Sequence, residues 1–397
     1  MTVFSRFSRG AEDALIRPLT NDDRAELETM IASDPVGFLF AAEHLHHFGL
    51  PAPSALTSLK TPHGFMGIFA PRDLPGEWGS KDAAVSSSAH LTETVGERLP
   101  GRVRSALEGL LAKAATKVGS SAGAHFAEEA TAPRTAMPGL AETLAPASAP
   151  LPGSAEPRYC LVGAFWLGAN CVPLTIPEPY QRQVAAYIWR HNRRIGSIFG
   201  HSEPVLGIWS HLASRMPTPF DVRENQPLLE LPPTADLSEL VRAPLTRPSL
   251  GAPAITEPVR WARTDDRPSL LRASVAMFTE EVGYDPMTRD PAGYTRRIDE
   301  LTRTGRTLVA VNSENVVIFK TDLGLAHDST CQLQGVWLHP AYRGHRLAPV
   351  LLAQACHLIR QRFPHLSLYV NDYNAPARAL YAATGWQQHS TFATVLF

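Results

Sequence analysis

The residues best suited to chemistry lie in one stretch near the C-terminus, residues 334–381. A basic turn, residues 342–348 with the sequence YRGHRLA, separates a strand-like segment that alternates at 336–339 from an apolar helical repeat that runs from Leu351 to Leu358. A strand that passes through a glycine-containing turn into a helix presents free backbone N–H groups to an anion, and the positive end of the helix dipole adds to the attraction. The two arginines of the turn favour phosphate as that anion.

A second run follows the predicted helix. Residues 368–381 read LYVNDYNAPARALY, and Gly385-Trp386 come shortly afterwards. Together, the turn and this run resemble motifs A and B of the GNAT family, the acetyl-coenzyme-A-dependent N-acetyltransferases. The pyrophosphate loop of that family follows the pattern R/Q-x-x-G-x-G/A, and this chain has Arg343-x-x-Arg346-x-Ala348, with arginine where glycine is usual. The second run is similar to the family's V-x-x-x-N-x-x-A-x-x-L-Y-x-x-x-G-F almost position for position.

The resemblance implies a role for each matching residue. Tyr381 matches the general acid, and a phenol with a pKa of about 10 suits a departing thiolate with a pKa of about 8–9. The residues expected to bind acetyl-CoA are the backbone of Val336, Trp337 and Leu338 for the pantetheine arm, Arg343, Gly344, His345, Arg346, Leu347 and Ala348 for the pyrophosphate, and Asn371 and Asn374 to orient the arm and cap the next helix.

The general base is not evident from the sequence. Many GNAT members use a glutamate on the fourth strand, but no carboxylate stands between Thr330 and His339. The candidates are His327, Asp328, His339 and Glu281, and a chain of water molecules is another route. The acceptor pocket is expected around residues 278–284, where Glu280 and Glu281 could attract a cationic amine.

The length of 397 residues predicts two domains in an α/β chain. Residues 257–397 show the GNAT order of one strand, two helices, three strands and then the signature, with a mixed central sheet. Residues 1–220 show a similar order, which predicts a degenerate GNAT-like domain; an unrelated α/β domain is the alternative. Residues 177–179 (PEP) stand where hydrogen-bond donors to the phosphates of acyl-CoA would be needed, so acyl-CoA binding is not expected there.

Two segments differ in composition from these domains. Residues 72–157 are rich in Ala, Ser, Pro and Gly, and predict a mostly mobile insertion with one amphipathic helix near residues 95–118. Residues 221–256 are rich in proline and are interpreted as a connector between the domains.

Composition limits the function classes. The net charge of −1 gives no case for nucleic acid, and the absence of a long apolar run or a signal-like N-terminus predicts a cytoplasmic protein without membrane association. The four cysteines lack zinc spacing and favour buried, reduced thiols. His44 and His47 share a helical face, but no third ligand is evident, so no metal is expected.

The resemblance to the GNAT family implies an N-acetyltransferase that moves an acetyl group from acetyl-CoA to a primary amine, on a small molecule or a protein, by direct attack in a ternary complex. The alternative is a non-catalytic acyl-CoA-binding regulatory module. Arg346 and the missing base favour that alternative, whereas Tyr381 and the complete second run favour the enzyme. The sequence leaves the acceptor and the oligomeric state open.

Overall fold

The computed structural model describes residues 14–53, 64–71, 159–192, 194–245 and 254–397. The predicted insertion at 72–157 and its helix lie outside the described residues. We call the described residues up to 245 the N-terminal region and residues 254–397 the C-terminal region. All described residues belong to one compact unit.

Each region alternates strands with helices. The N-terminal region contains β1 (Leu15–Pro18), α1 (Arg24–Ala32), α2 (Leu39–Phe48), β2 (Gly64–Pro71), β3 (Tyr159–Leu167), β4 (Asn170–Pro173), α3 (Glu178–His191), β5 (Ser197–His201), α4 (Ser202–Leu212), β6 (Asp221–Leu231) and α5 (Ser238–Arg242). The C-terminal region contains β7 (Arg260–Trp261), α6 (Arg267–Val282), α7 (Pro291–Arg303), β8 (Thr307–Val311), β9 (Val317–His327), β10 (Thr330–Leu338), α8 (Leu347–Arg360), β11 (His365–Tyr369), α9 (Ala375–Ala383) and β12 (Gln387–Leu396).

The two regions repeat one order of elements. From β1 to β6 the order is strand, two helices, three strands, helix, strand, helix, strand, and the order from β7 to β12 is the same. In each region the fourth and fifth strands are parallel and are joined by a helix. The structure therefore confirms the predicted α/β class with a mixed sheet, and it confirms the likeness between the two regions.

The regions share one 12-stranded sheet in the order β1-β2-β3-β4-β5-β12-β6-β11-β10-β9-β8-β7. The last strand, β12, pairs antiparallel with β5 of the N-terminal region, while β6 pairs antiparallel with β11 of the C-terminal region. The strands β6 and β12 also pair with each other. Each region therefore provides a strand that lies beside the fifth strand of the other.

The interpretation of residues 221–256 as a connector is wrong for its first part. Residues 221–231 form β6, a strand paired on both sides in the middle of the sheet, and Ser238–Arg242 form the short helix α5. Pro227 has no N–H to donate, and the pairing of β6 with β12 shifts register on both sides of it, as is usual where a strand contains proline. Its carbonyl still accepts a hydrogen bond from the Val370 N–H at 3.1 Å. The prolines at 232 and 233 come after the strand has ended.

Helices cover both faces of the sheet in the C-terminal region. Residues of α8, among them Leu351, Leu352 and Ile359, are fully buried against Leu366 and Leu368 of β11. On the other face, α6 and α7 bury a cluster that includes Leu270, Ile298, Val309 and Trp337. The sheet is thereby held between two helical layers, which fixes the ends of β10 and β11 relative to α6, α8 and α9.

None of the described helices combines the length and apolar character that a membrane-spanning segment needs. The four cysteines are free thiols, three of them buried and Cys160 half-buried. The predicted burial is therefore confirmed for Cys171, Cys331 and Cys356, and Cys160 departs from it.

Candidate functional site

A cleft opens where β10 and β11 separate. The two strands pair only over residues 330–332 and 365–367, so the edge of β10 that faces β11 has no strand partner beyond Gln332 among the described residues. The pairing of β9 with β10 shifts register between Gln334 and Trp337, which marks a β-bulge. Val336, Trp337 and Leu338 follow directly on the open side. An extended ligand could therefore add to this edge through backbone hydrogen bonds.

Glycine is required at the bulge. Gly335 has a φ of 57°, in the left-handed region that glycine adopts readily. A Cβ atom there would lie 2.9 Å from Cε of Met277 and 3.0 Å from Nζ of Lys320. The close approach shows that α6, which carries Met277, and β9, which carries Lys320, both meet β10 at the head of the cleft.

The basic turn leads from β10 into α8. Within the described part of the chain, no acceptor is found for the backbone N–H groups of five successive residues, Gly344, His345, Arg346, Leu347 and Ala348. They stand at the N-terminus of α8, where the helix dipole is positive, next to three basic side chains. Consecutive free N–H donors in this setting form an anion-binding site, and they suit a pyrophosphate.

Two arginines of the turn are held in unlike ways. Arg346 is the N-cap residue of α8 and has a φ of 57°, so the position where the GNAT pattern has glycine does adopt a left-handed conformation. A residue with a Cβ pays about 1 kcal/mol for this conformation relative to glycine. Arg343 donates from Nε to the Leu338 carbonyl at 2.8 Å and from Nη2 to Oε2 of Glu280 at 2.7 Å.

One face of α6 borders the cleft. Met277 contacts the bulge at Gly335, and Oε1 of Glu280 accepts from Nε1 of Trp337 at 3.3 Å. Residues three and four positions apart share a helical face, so Glu281 lies on the same side as Met277. The C-terminal turn of α6 thus places a second carboxylate over the cleft.

Glu281 has no hydrogen bond or ion pair among the described residues. Its carboxylate is accessible to water, yet protein surrounds it closely enough that lost hydration raises its pKa above the ordinary value. The positive charges of Lys320 and Arg223 oppose this shift, and the negative charge of Glu280 adds to it. Lys320 is itself fully buried and paired with Asp322 at 2.5 Å.

Tyr381 lies on α9 at the opposite wall of the cleft. Its side chain is 7% exposed, and no hydrogen bond to its hydroxyl is found within the described ranges. Burial raises the pKa of Tyr381 well above its usual value, and the negative charge of Glu281 raises it further. The phenol therefore stays protonated at neutral pH, with its hydroxyl free to donate to a ligand.

The two asparagines of the second run make different contacts. Asn374 is the N-cap of α9, with its Oδ1 accepting from the Ala377 N–H at 3.2 Å. Asn371, just beyond β11, accepts on Oδ1 from Nε2 of Gln226 at 2.8 Å. Of the two roles that the sequence left open for Asn374, the structure provides the capping one.

The other base candidates lie elsewhere. His327 and Asp328 line a cavity of about 430 Å³ beside α1 and α2, at the start of β10. Five strand residues, or about 16 Å, separate Thr330 at that end of β10 from the bulge at Gly335. His339 uses Nδ1 to accept from the Ala341 N–H at 3.2 Å. Of the four candidates, only the charge of Glu281 affects the pKa of Tyr381.

No group of three or more His, Cys, Asp or Glu side chains within the described ranges is placed to hold a metal ion. His44 instead stacks on Phe40 with a ring distance of 3.7 Å, and its Nδ1 lies 3.0 Å from the Phe40 carbonyl oxygen.

The site includes residues that sequence reasoning missed. Arg223 and Gln226 belong to β6, in the segment interpreted as a connector. Glu280 is expected from the sequence only in an acceptor pocket, and its contact with the basic turn is not. The charge of Arg223 acts on Glu281, Gln226 contacts Asn371 and Glu280 contacts Arg343. These residues are far apart in sequence, so no local pattern marks them.

The parallel strands of a mixed sheet diverge here beside a helix N-terminus whose N–H groups have no acceptor among the described residues, an arrangement suited to binding an anion. Residues 275–386 match the family model described as "Acetyltransferase (GNAT) family", and residues 153–247 match "Domain of unknown function (DUF4081)". The chain thus carries a domain of the GNAT acetyltransferase family at its C-terminus, preceded by a DUF4081 domain, and the family supports an acyltransferase activity.

No curated protein matches the chain. Among solved structures, an acetyltransferase from the GNAT family of Colwellia psychrerythraea is 12% identical, with a TM-score of 0.37 over 60% of this chain and 82% of that chain. A tandem GNAT protein from the clavulanic acid biosynthesis pathway is 13% identical, with a TM-score of 0.40 over 59% of this chain and 79% of that chain.

Proposed function

We propose that this protein is an N-acetyltransferase that moves an acetyl group from acetyl-CoA to a primary amine by direct attack in a ternary complex. The observation that carries the proposal is that Glu281 lies near enough to Tyr381 for its negative charge to raise the pKa of the phenol. One is a protonated phenol with a free hydroxyl, and the other is a carboxylate without a partner in the described part of the chain. A general acid and a general base are what aminolysis of a thioester needs.

We place acetyl-CoA along the cleft. The five free N–H groups at 344–348 would hold the pyrophosphate, with Arg343, His345 and Arg346 beside it. The pantetheine arm would run along the open edge of β10 at Val336, Trp337 and Leu338, towards Asn371 on the other wall. The thioester then comes to the bulge, between Glu281 and Tyr381.

The chemistry follows from these positions. The amine nitrogen attacks the thioester carbonyl and forms the C–N bond, while Glu281 takes a proton from the amine. As the C–S bond breaks, Tyr381 gives its proton to the sulfur of CoA. The proton held by Glu281 then returns to Tyr381 and restores both groups.

The two proton transfers support each other. The negative charge of Glu281 raises the pKa of Tyr381, and this charge disappears when Glu281 accepts the amine proton. The phenol becomes a better donor at the moment when the thiolate must leave. The acid thus becomes active only after the base has acted.

The acceptor should approach as a cation. Lys320 is paired with Asp322, Arg223 with Asp221 at 2.8 Å, and Glu280 with Arg343, which leaves Glu281 as the uncompensated charge at the head of the cleft within the described residues. A single negative charge attracts a protonated amine. The ammonium releases one proton to solvent before it attacks, and Glu281 then takes the second proton as the C–N bond forms. The amine belongs to a small molecule or to a protein.

A Tyr381→Phe variant tests the proposal. Acetyl transfer to a panel of primary amines should fall by about 100-fold, whereas acetyl-CoA affinity should stay unchanged, because the hydroxyl has no partner in the described structure. A regulatory acyl-CoA-binding module, the alternative function, would bind acetyl-CoA equally well but show no transfer by the wild-type protein to any amine. That result, or full activity of the variant, would overturn the proposed reaction.

A further inference from the structure

The strand β6 runs beside the cofactor cleft although it lies outside the residues that match the GNAT model. The N–H of Val370 donates to the Pro227 carbonyl at 3.1 Å, and the N–H of Asp372 donates to the Asn225 carbonyl at 3.2 Å. The chain that leaves β11, which carries Asn371, is therefore held against β6. The match to the domain of unknown function covers this strand.

Between these two backbone contacts, the side chains of Thr394, Gln226 and Asn371 are joined by two hydrogen bonds, which we call the relay. The hydroxyl of Thr394 on β12 donates to Oε1 of Gln226 at 2.6 Å, and Nε2 of Gln226 donates to Oδ1 of Asn371 at 2.8 Å. Gln226 is only 2% exposed. Its amide must therefore find partners within the protein, and the two contacts supply one for each end.

The relay sets the orientation of Asn371. Because Oδ1 receives the hydrogen bond from Gln226, the amide cannot turn without placing two N–H groups against each other. The Nδ2 group of Asn371 is left as a donor, and no partner for it is found in the described part of the chain. Asn371 is half-buried and stands on the wall of the cleft opposite β10.

We propose that Gln226 is a positioning residue for the acyl-CoA site: it fixes the amide of Asn371 so that Nδ2 donates to an amide carbonyl of the pantetheine arm. This inference rests on the proposed function, because it takes acyl-CoA as the ligand. It assigns to the domain of unknown function a part in the site of the GNAT domain. The strand exchange between the two regions is what brings Gln226 within reach.

A double-mutant cycle tests this assignment. Acetyl-CoA is titrated calorimetrically into the full-length wild-type protein, Gln226→Met, Asn371→Ala and the double variant. Gln226→Met keeps the volume of the side chain and removes its hydrogen bonds. We expect each single variant to weaken acetyl-CoA binding by roughly five- to ten-fold, which is the effect of one hydrogen bond. The double variant should bind no more weakly than Asn371→Ala alone.

Two controls separate positioning from general destabilisation. ADP carries the pyrophosphate but lacks the pantetheine arm, so its affinity should be the same in all four proteins. Leu228→Met alters a fully buried residue of β6 without a polar contact to Asn371, and should leave acetyl-CoA affinity unchanged. If circular dichroism shows that Gln226→Met is unfolded, Gln226→Asn withdraws the amide by one methylene and takes its place.

The outcomes are distinct. Unchanged acetyl-CoA affinity in Gln226→Met, additive losses in the double variant, or equal weakening of ADP would overturn the role of Gln226 while leaving the proposed function standing. No binding of acetyl-CoA by the wild-type protein would overturn the proposed function, and the inference with it.

Discussion

The guanidinium of Arg343 donates to Oε2 of Glu280 at 2.7 Å, while Oε1 of the same carboxylate accepts from Nε1 of Trp337 at 3.3 Å. One glutamate at the end of α6 thus holds both the first basic residue of the loop and the indole of β10. Arg343 is half-exposed and lies beside the phosphate-binding turn. Glu280 therefore competes with the phosphates of a ligand for this arginine.

Changing Glu280 and changing Arg343 should have opposite effects on binding. Arg343→Ala should weaken acetyl-CoA binding by about ten-fold, because a charge-assisted contact to phosphate is lost. Glu280→Gln should strengthen binding by about two- to five-fold, because it frees Arg343 and removes a negative charge near the phosphates. Calorimetric titration at low and high salt measures both. Equal affinities in all three proteins would show that Arg343 does not bind the ligand.

The left-handed residue Arg346 allows backbone strain to be separated from charge. Arg346→Gly should raise the free energy of unfolding by about 1 kcal/mol, because glycine adopts this φ without strain. Arg346→Ala keeps the strain and should leave stability nearly unchanged. Both variants lose the positive charge, so both should bind acetyl-CoA several-fold more weakly. Thermal unfolding and calorimetry distinguish the two effects, and an unaltered melting temperature for Arg346→Gly would contradict the strain.

The pH dependence of the reaction should report Glu281. Partial loss of hydration raises its pKa above the ordinary 4.5, and only the ionised form can take the proton of the amine. The value of kcat/KM should therefore rise with pH through this raised pKa. Glu281→Gln should abolish this rise of kcat/KM with pH and lower the rate by about 100-fold. The neighbouring Glu280→Gln serves as the matched control. The rise should persist but at a lower pH, because the negative charge of Glu280 no longer raises the pKa of Glu281.

The same shift predicts a change in stability. A pKa that is raised in the folded state means that the folded protein binds the proton more tightly than the unfolded chain. The free energy of unfolding should fall as pH rises from the ordinary carboxylate pKa through the raised one. Glu281→Gln should therefore be more stable than the wild type at neutral pH, as measured by denaturant titration. A less stable variant would argue against a desolvated carboxylate.

A second pH effect should arise at the junction of the two regions. Nε2 of His389 on β12 lies 2.9 Å from Oδ1 of Asp34, and this hydrogen bond raises the pKa of His389 above 6.5. Burial alone would raise the pKa of Asp34, but hydrogen bonds from His201 and His389 hold it well below 3.8. The charged pair joins the N-terminal region to the last strand of the chain.

The stabilising contribution of protonated His389 is complete below its ordinary pKa of 6.5 and is lost as pH rises through the raised value. Denaturant titrations across this range should show that His389→Gln loses the slope of the free energy of unfolding against pH. His211→Gln, on the exposed side of α4, is the control and should retain it. A slope that persists in His389→Gln would assign the effect to another group.

Local patterns predicted much of this structure. The order of one strand, two helices and three strands expected for residues 257–397 is the order from β7 to β10 in the structure, because apolar spacing and flanking polar residues mark these elements. The left-handed Arg346 occupies a position that the family pattern reserves for glycine. The capping role of Asn374 also follows from its place before Pro376.

Contacts between distant residues could not be predicted in this way. Gln226 and Asn371 are separated by 145 positions, and they meet only because β6 and β12 exchange places between the two regions. The prolines near β6 favoured a connector, since composition does not show which strand a segment will pair with. The sequence left four candidates open for the general base. The packing of α6 on the bulge at Gly335 distinguishes Glu281 from the other three, because that packing places it near Tyr381.

All of the proposed chemistry depends on acetyl-CoA binding with its pyrophosphate at residues 344–348. Hydrogen–deuterium exchange of the full-length protein, with and without acetyl-CoA, measures this directly, because the five N–H groups there are free in the described structure. We predict that the ligand slows exchange at residues 344–348 and along 336–338. Unchanged exchange in both segments at saturating acetyl-CoA would contradict the proposed site.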